Sequence, residues 1–261
     1  PKSFINTQKT SIMAREMSIL KLRGKLDGMS FYKNSEGHFV RAKGGVERNR
    51  IMNDPNYERT RENMSEFGTI ASSGKLLRNS ISILMNRAKD TRTSNRIVSL
   101  MSTIKNLDNQ SLRGQRKVAE GIKSVEGKRV LEGFDFNKNS PLGILFKAPY
   151  TLDVEAGSVN IALFNPKEHL LLPEYATHVS LSIACASLDF ELQQSEVAYS
   201  EVHTIAIDAD AAPLEIGLEN LPTLEGTLFY LLLVELMQEI NGQLYPLKNG
   251  TYNALNLIKV V

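Results

Sequence analysis

Apolar and polar positions change rhythm twice along the chain. Residues 1–18 show no clean period and read as an arm that gains order only from a partner. Next, Met29-Ser30-Phe31-Tyr32 and His38-Phe39-Val40-Arg41 flank Asn34-Ser35-Glu36-Gly37, which predicts a β-hairpin closed by Gly37. Asn53-Asp54-Pro55 is a helix start, with an Asx cap and a proline suited to the first helical position. Behind it, Tyr57, Met64, Phe67, Ile70, Leu77, Ile81 and Leu84 recur at helical spacing. Gly74 is expected to bend or interrupt that helix. Ile97, Leu100, Met101, Ile104 and Leu107 mark a second helix. Val118, Ile122, Val125 and Val130 mark a third, weakened by Gly121 and Gly127.

Near Leu142 the period becomes two. Leu152 and Val154 alternate with polar neighbours, as do Val179, Leu181, Ile183 and Cys185; the phase then slips to Leu188, Phe190 and Leu192, which predicts a bulge or bend. Further short strands follow at Val197 to Tyr199, Ile205 to Ile207, Leu214 to Leu218, Leu228 onward, Tyr245 and Leu255 to Val261. Pro, Gly, Asn and Asp punctuate them, and Asn241-Gly242 is the strongest turn signal of all. The pattern predicts an α+β chain of two domains: a small basic helical bundle with a β-hairpin, followed by an all-β sandwich. The expected divisions are an arm at 1–20, a basic helical domain at 21–142 and an acidic β domain at 143–261.

Charge sharpens this division. The chain of 261 residues carries a net +2, but residues 1–142 hold 27 Lys/Arg against 14 Asp/Glu, a net +13, and residues 143–261 hold 4 against 15, a net −11. The basic part seeks something anionic, either nucleic acid or the acidic part of another copy. The single cysteine, Cys185, cannot form an internal disulfide and reads as a small buried apolar residue. The N-terminal residues lack the apolar core of a secretory signal, and the longest apolar run, Leu228–Met237, is short and interrupted by Glu235. The expected location is the cytoplasm, or a particle assembled there, without membrane insertion.

Catalytic signals are weak. Gly68-Thr-Ile-Ala-Ser-Ser-Gly74-Lys75 imitates a phosphate loop but has five residues between its glycines, and Leu76 replaces the metal-holding hydroxyl. His38, His169, His178 and His203 lack partners at metal-ligand spacing. Asp208-Ala209-Asp210 reads as a solvated turn rather than a cation loop. No nucleophile elbow or triad spacing stands out. The chain is therefore expected not to be an enzyme and to need no cofactor or metal.

One segment is chemically distinctive. Lys21, Arg23, Lys25, Lys33, Arg41, Lys43, Arg48 and Arg50 interleave with Phe31, Tyr32 and Phe39. Basic side chains among aromatics can bind phosphates and stack on bases; equally, the rings can be core and the charges solvated or paired with acidic protein. The same segment, Gly24-Lys25-Leu26-Asp27-Gly28-Met29-Ser30-Phe31-Tyr32 with Gly37, Val40-Arg41 and Lys43-Gly44-Gly45, resembles a group of uncharacterised proteins of Bacteroidota and phage-like gene neighbourhoods. Asn53-Asp54-Pro55, Arg61 to Phe67 and Tyr245 to Leu255 extend the likeness. The resemblance implies no activity, but it favours a structural role. The expected function is a structural subunit of a repeating assembly (virion, phage-tail-like particle or filament), joined through its basic and acidic halves. DNA or RNA binding by the basic half is the alternative, and a sandwich-based small-molecule enzyme the third possibility.

Overall fold

A computed structural model describes residues 13–15, 22–42 and 44–261. The chain combines helices with antiparallel sheets and falls into two compact units, residues 1–61 and 62–261.

In the first unit β1 (Met13–Arg15), β2 (Gly24–Leu26), β3 (Met29–Asn34) and β4 (Gly37–Ala42) form one sheet in the order β1-β4-β3-β2. The expected hairpin is its centre. Asn34 faces Gly37 across the turn, and its Oδ1 accepts the Glu36 N–H at 2.9 Å. Two features depart from the sequence reading. Met13–Arg15, expected to be part of an arm, pairs with Arg41, Val40 and Phe39; residues 1–12 and 16–20 of that arm lie outside the described residues. A short helix, α1 (Arg48–Asn53), precedes the Asn-Asp-Pro signal, with no apolar period to reveal it. Asp54 instead caps the 3-10 turn Pro55–Tyr57, accepting the Asn56 N–H at 3.0 Å. That turn leads into α2 (Glu58–Ser80).

The second unit continues through α3 (Ser82–Arg87), α4 (Thr93–Asn106), α5 (Val118–Gly121) and α6 (Val125–Leu131). Then come β5 (Phe134–Asp135), α7 (Leu142–Leu145), β6 (Thr151–Asp153), β7 (Ser158–Phe164), α8 (Pro166–His169), β8 (His178–Asp189), β9 (Gln194–Tyr199), β10 (His203–Ala206), β11 (Ala212–Gly217), β12 (Thr227–Ile240), β13 (Gln243–Pro246) and β14 (Ala254–Val260). Seven strands form one sheet along β10-β8-β12-β14-β5, with β9 beside β8 and β13 beside β12; β11-β7-β6 form a smaller sheet. Asn241 and Gly242 close the β12–β13 hairpin with φ of +53° and +77°, as their sequence demands.

Strand alternation assigns the large sheet to two cores. Ala184, Ala186 and Leu188 of β8, Phe229, Leu231 and Leu233 of β12, and Leu255 and Leu257 of β14 join Leu77, Ile81, Ile97, Met101 and Ile104 from the helices. The intervening Leu181, Ile183, Cys185, Tyr230, Leu232 and Val234 join Val159, Ile161 and Ile216 from the smaller sheet. The expected boundary at 142/143 is therefore not where the chain divides. Charge and periodicity do change there, but the apolar stripes of α2 to α6 are buried against β8, β12 and β14. Each buried Leu or Ile contributes roughly 1.5–3 kcal/mol, so this shared core outweighs the change in composition.

The same double burial explains the apparent phase slip in β8. The strand runs unbroken, pairing with β12 from Leu188↔Thr227 to His178↔Met237 without a register shift. Its apolar residues occupy both faces, so no bulge is needed. Bulges occur elsewhere. Between Ala212↔Phe164 and Leu214↔Ile161 the register slips, and Ala162 and Leu163 both face solvent. Gly74 does not break α2. It is buried where α4 approaches, and a Cβ there would sit 3.4 Å from Ile97 Cγ2. The helix stops after Ser80 instead. Gly121 does fall where the third helical stretch divides into α5 and α6, and a side chain there would collide with the Ile104 carbonyl, whereas Gly127 lies inside α6.

Candidate interaction surface

Directly opposed residues in an antiparallel sheet share a face, so the register of the first unit sorts its candidate residues. Lys25 lies opposite Ser30, and Ser30 opposite Arg41; Tyr32 lies opposite Phe39. These five share one face. Tyr32 and Phe39 stack with ring centroids 5.8 Å apart at 23°, and the Arg41 guanidinium sits 5.6 Å from the Tyr32 centroid. An open groove of about 470 Å³ runs beside them, lined by Gly24, Lys25, Ser30, Phe31, Tyr32 and Arg41. The other face carries Leu26 opposite Met29, Phe31 opposite Val40, and Lys33 opposite His38. Leu26 is 62% exposed and Met29 43%.

The eight basic candidates are thus not one surface. Lys25 and Arg41 share the cross-strand row next to the ring pair, while Lys33 belongs to the opposite, largely apolar face. Arg23 is exposed just before β2. Arg48 and Arg50 stand on α1, and Arg50 is already engaged, 3.3 Å from the Asp54 carboxylate and 5.8 Å from the Tyr57 ring centroid. Lys21 and Lys43 lie outside the described residues. Of the aromatics, Phe31 separates from Tyr32 and Phe39, because neighbouring residues on a strand point oppositely. All three are half-buried, and no residue of 22–42 or 44–61 is buried.

The second unit holds polar clusters that sequence reading did not find. Glu66 of α2 is 4% exposed and accepts four hydrogen bonds: Arg116 Nε at 2.7 Å, Arg116 Nη2 at 2.8 Å, Lys105 Nζ at 2.7 Å and the Gly114 N–H at 2.8 Å. The Arg116 hydrogen bonds, with those of Lys105 and Gly114, overcome burial and hold its carboxyl at about 2. Asp108 accepts the N–H groups of Gln110, Ser111 and Lys117. Burial would raise it, but these donors hold it below the ordinary carboxylate range. Asp108 folds the connection between α4 and α5 on itself, and Glu66 ties it to α2 and α4. Glu235 is the opposite case. It meets Arg87 Nη1 at 3.0 Å, yet burial prevails over that cation and raises its carboxyl. The side-chain partners of Glu66 and Glu235 in these pairs lie far away in sequence, so no local spacing signals them.

Glu66, with four donors on its two oxygens, has no lone pair left for a substrate. Cys185 is fully buried, and burial pushes its thiol up to about 11. It is therefore a neutral core residue at physiological pH. Among the described residues no group of three or more His, Cys, Asp or Glu converges as a metal site, and no helix is long and apolar enough to cross a membrane. The sheet of the first unit has a cationic, aromatic face backed by an apolar one. Comparison with family models, with curated proteins and with solved structures gave no match.

Proposed function

We propose that the protein is a structural subunit of a repeating assembly, a virion, phage-tail-like particle or filament, that self-associates through its basic N-terminal and acidic C-terminal parts. The observation that carries this reading is the lack of any buried residue among positions 22–42 and 44–61. Ordering a residue's backbone costs roughly 1–2 kcal/mol, and a small sheet open on both faces recovers little of that from burial. A second copy covering Leu26, Met29, Phe31 and Val40 supplies the missing core.

Charge selects the partner surface. Residues 143–261 carry the net −11, with Glu155, Glu174, Glu201, Asp208, Glu215 and Glu219 all exposed. Exposed pairs contribute only about 0–1 kcal/mol each, so they set orientation and rate while the apolar face supplies affinity. A basic patch meeting an acidic patch elsewhere on the next copy is a heterologous contact, which propagates into rings or filaments. In this reading the protein has no catalytic role, needs no cofactor, and works in the cytoplasm or in a particle assembled there.

Light scattering of nucleic-acid-free protein tests it. In low salt at micromolar concentration the species should be larger than a monomer, and salt above physiological strength should shrink it. The double variant Leu26→Asp/Met29→Asp should scatter as a monomer while its main thermal transition stays in place. A strictly monomeric full-length protein in low salt refutes the proposal.

A further inference from the structure

We propose that the face of the N-terminal sheet bearing Lys25, Ser30, Tyr32, Phe39 and Arg41 binds single-stranded nucleic acid, bases stacking on the Tyr32–Phe39 pair and phosphates meeting Lys25 and Arg41. The inference does not rest on self-assembly, whose apolar contacts use the opposite face.

Three observations converge on this ligand. The first is the ring pair itself: two half-buried aromatics stacked across β3 and β4. Base–aromatic stacking needs an accessible base face, which a single strand offers and a paired duplex does not. The second is the placement of charge. Lys25, Ser30 and Arg41 lie side by side on three adjacent strands, so the two cations stand about 10 Å apart, two strand spacings. Both stand in the cross-strand row next to the ring pair, where phosphates can follow a stacked base, and Arg41 over Tyr32 adds a planar cation able to stack as well as to pair. The third is sign: residues 1–61 hold 13 Lys/Arg against 6 Asp/Glu, and the register places no Asp or Glu on this face among the described strand residues. An acidic protein would satisfy the charges alone, whereas a single strand satisfies them and also stacks on the ring pair, which favours nucleic acid.

The test is fluorescence anisotropy of the full-length protein with a short labelled oligothymidine, the same sequence as a duplex, and polyglutamate as competitor. The single strand should bind more tightly than the duplex and resist the competitor. Phe39→Ala should weaken binding about tenfold, as expected for one lost base stack, and Tyr32→Phe, which keeps the ring, should bind as wild type. Lys25→Ala, on an exposed side chain, should flatten the salt dependence by about one phosphate contact. Light scattering of the same samples reports assembly separately. Equal affinity for both nucleic acids and polyglutamate, or wild-type affinity in Phe39→Ala with an unchanged circular dichroism spectrum, overturns the proposal, as does failure to bind oligothymidine in low salt.

Discussion

Arg116 grips Glu66 with two parallel hydrogen bonds, 2.7 Å from Nε and 2.8 Å from Nη2, while Lys105 closes on the same carboxylate from α4. A buried anion with this many donors is an anchor, and its removal strands two cations. Glu66→Gln should cost about 3–5 kcal/mol in urea unfolding at pH 7. The folded carboxyl titrates at about 2 against an ordinary 4.5. Its contribution, about 3 kcal/mol, is therefore complete above pH 4.5 and is lost as pH falls toward 2. The stability gap between wild type and Glu66→Gln should narrow steadily across that window. A gap independent of pH would mean that Glu66 acts through packing alone.

Glu235 should respond with the opposite sign. Burial raises its folded carboxyl above the unfolded value, against the pull of Arg87. The charged form is thus penalised in the fold, and the penalty disappears as pH falls through the raised value. Glu235→Gln keeps an acceptor for Arg87 and removes the buried charge. It should leave the melting temperature at pH 7 unchanged or higher by a few degrees, whereas Arg87→Ala, leaving the carboxylate unpaired, should lower it. A clear drop in Glu235→Gln would show that the ion pair outweighs its desolvation.

Glycines separate by what surrounds them. Gly68 lies on α2 with nothing within 4 Å of an added Cβ, so Gly68→Ala should stabilise by about 0.5–1 kcal/mol through helix propensity. Gly121→Ala should destabilise by more than that, because its Cβ would enter the Ile104 carbonyl at the α4–α5 contact. Thermal melts of the two variants should move in opposite directions.

Fragments test the shared core. Residues 62–261 should melt in one cooperative transition. Residues 143–261 alone should not, because Leu231, Leu233, Leu255 and Leu257 lose the helices that cover them. Strong binding of a hydrophobic dye by the shorter fragment, with no sharp melt, is the expected outcome. A cooperative melt of 143–261 would restore the division that the charge pattern suggested.

How much of this was legible depends on distance along the chain. The hairpin at Asn34–Gly37, the turn at Asn241-Gly242 and the cap at Asp54 use contacts within a few residues, so their chemistry is written locally. The helix at Thr93–Asn106 was equally open, because one stripe faces one core. In β8 two buried faces overlay two alternating sets, and Leu181 and Leu188 then read as a slip although each occupies its proper face. The Glu66 anchor joins residues on α2, α4 and the following connection, and nothing near Glu66 distinguishes it from a solvated helix glutamate. At the candidate surface the residue types were evident, but the split of Lys33 and Phe31 from Tyr32, Phe39 and Arg41 required the register.

The core that joins helices to the large sheet also sets a schedule for synthesis. Leu77 and Leu257 belong to the same core, so the apolar stripe of α2 leaves the ribosome long before β14 exists to cover it. At roughly 5–20 residues per second, that stripe waits for about 10–35 seconds. Throughout the interval a nascent chain displays an uncovered helical layer together with a basic sheet. It is then a natural client for holding chaperones, and slow codons placed before β12 would prolong its exposure rather than help it fold.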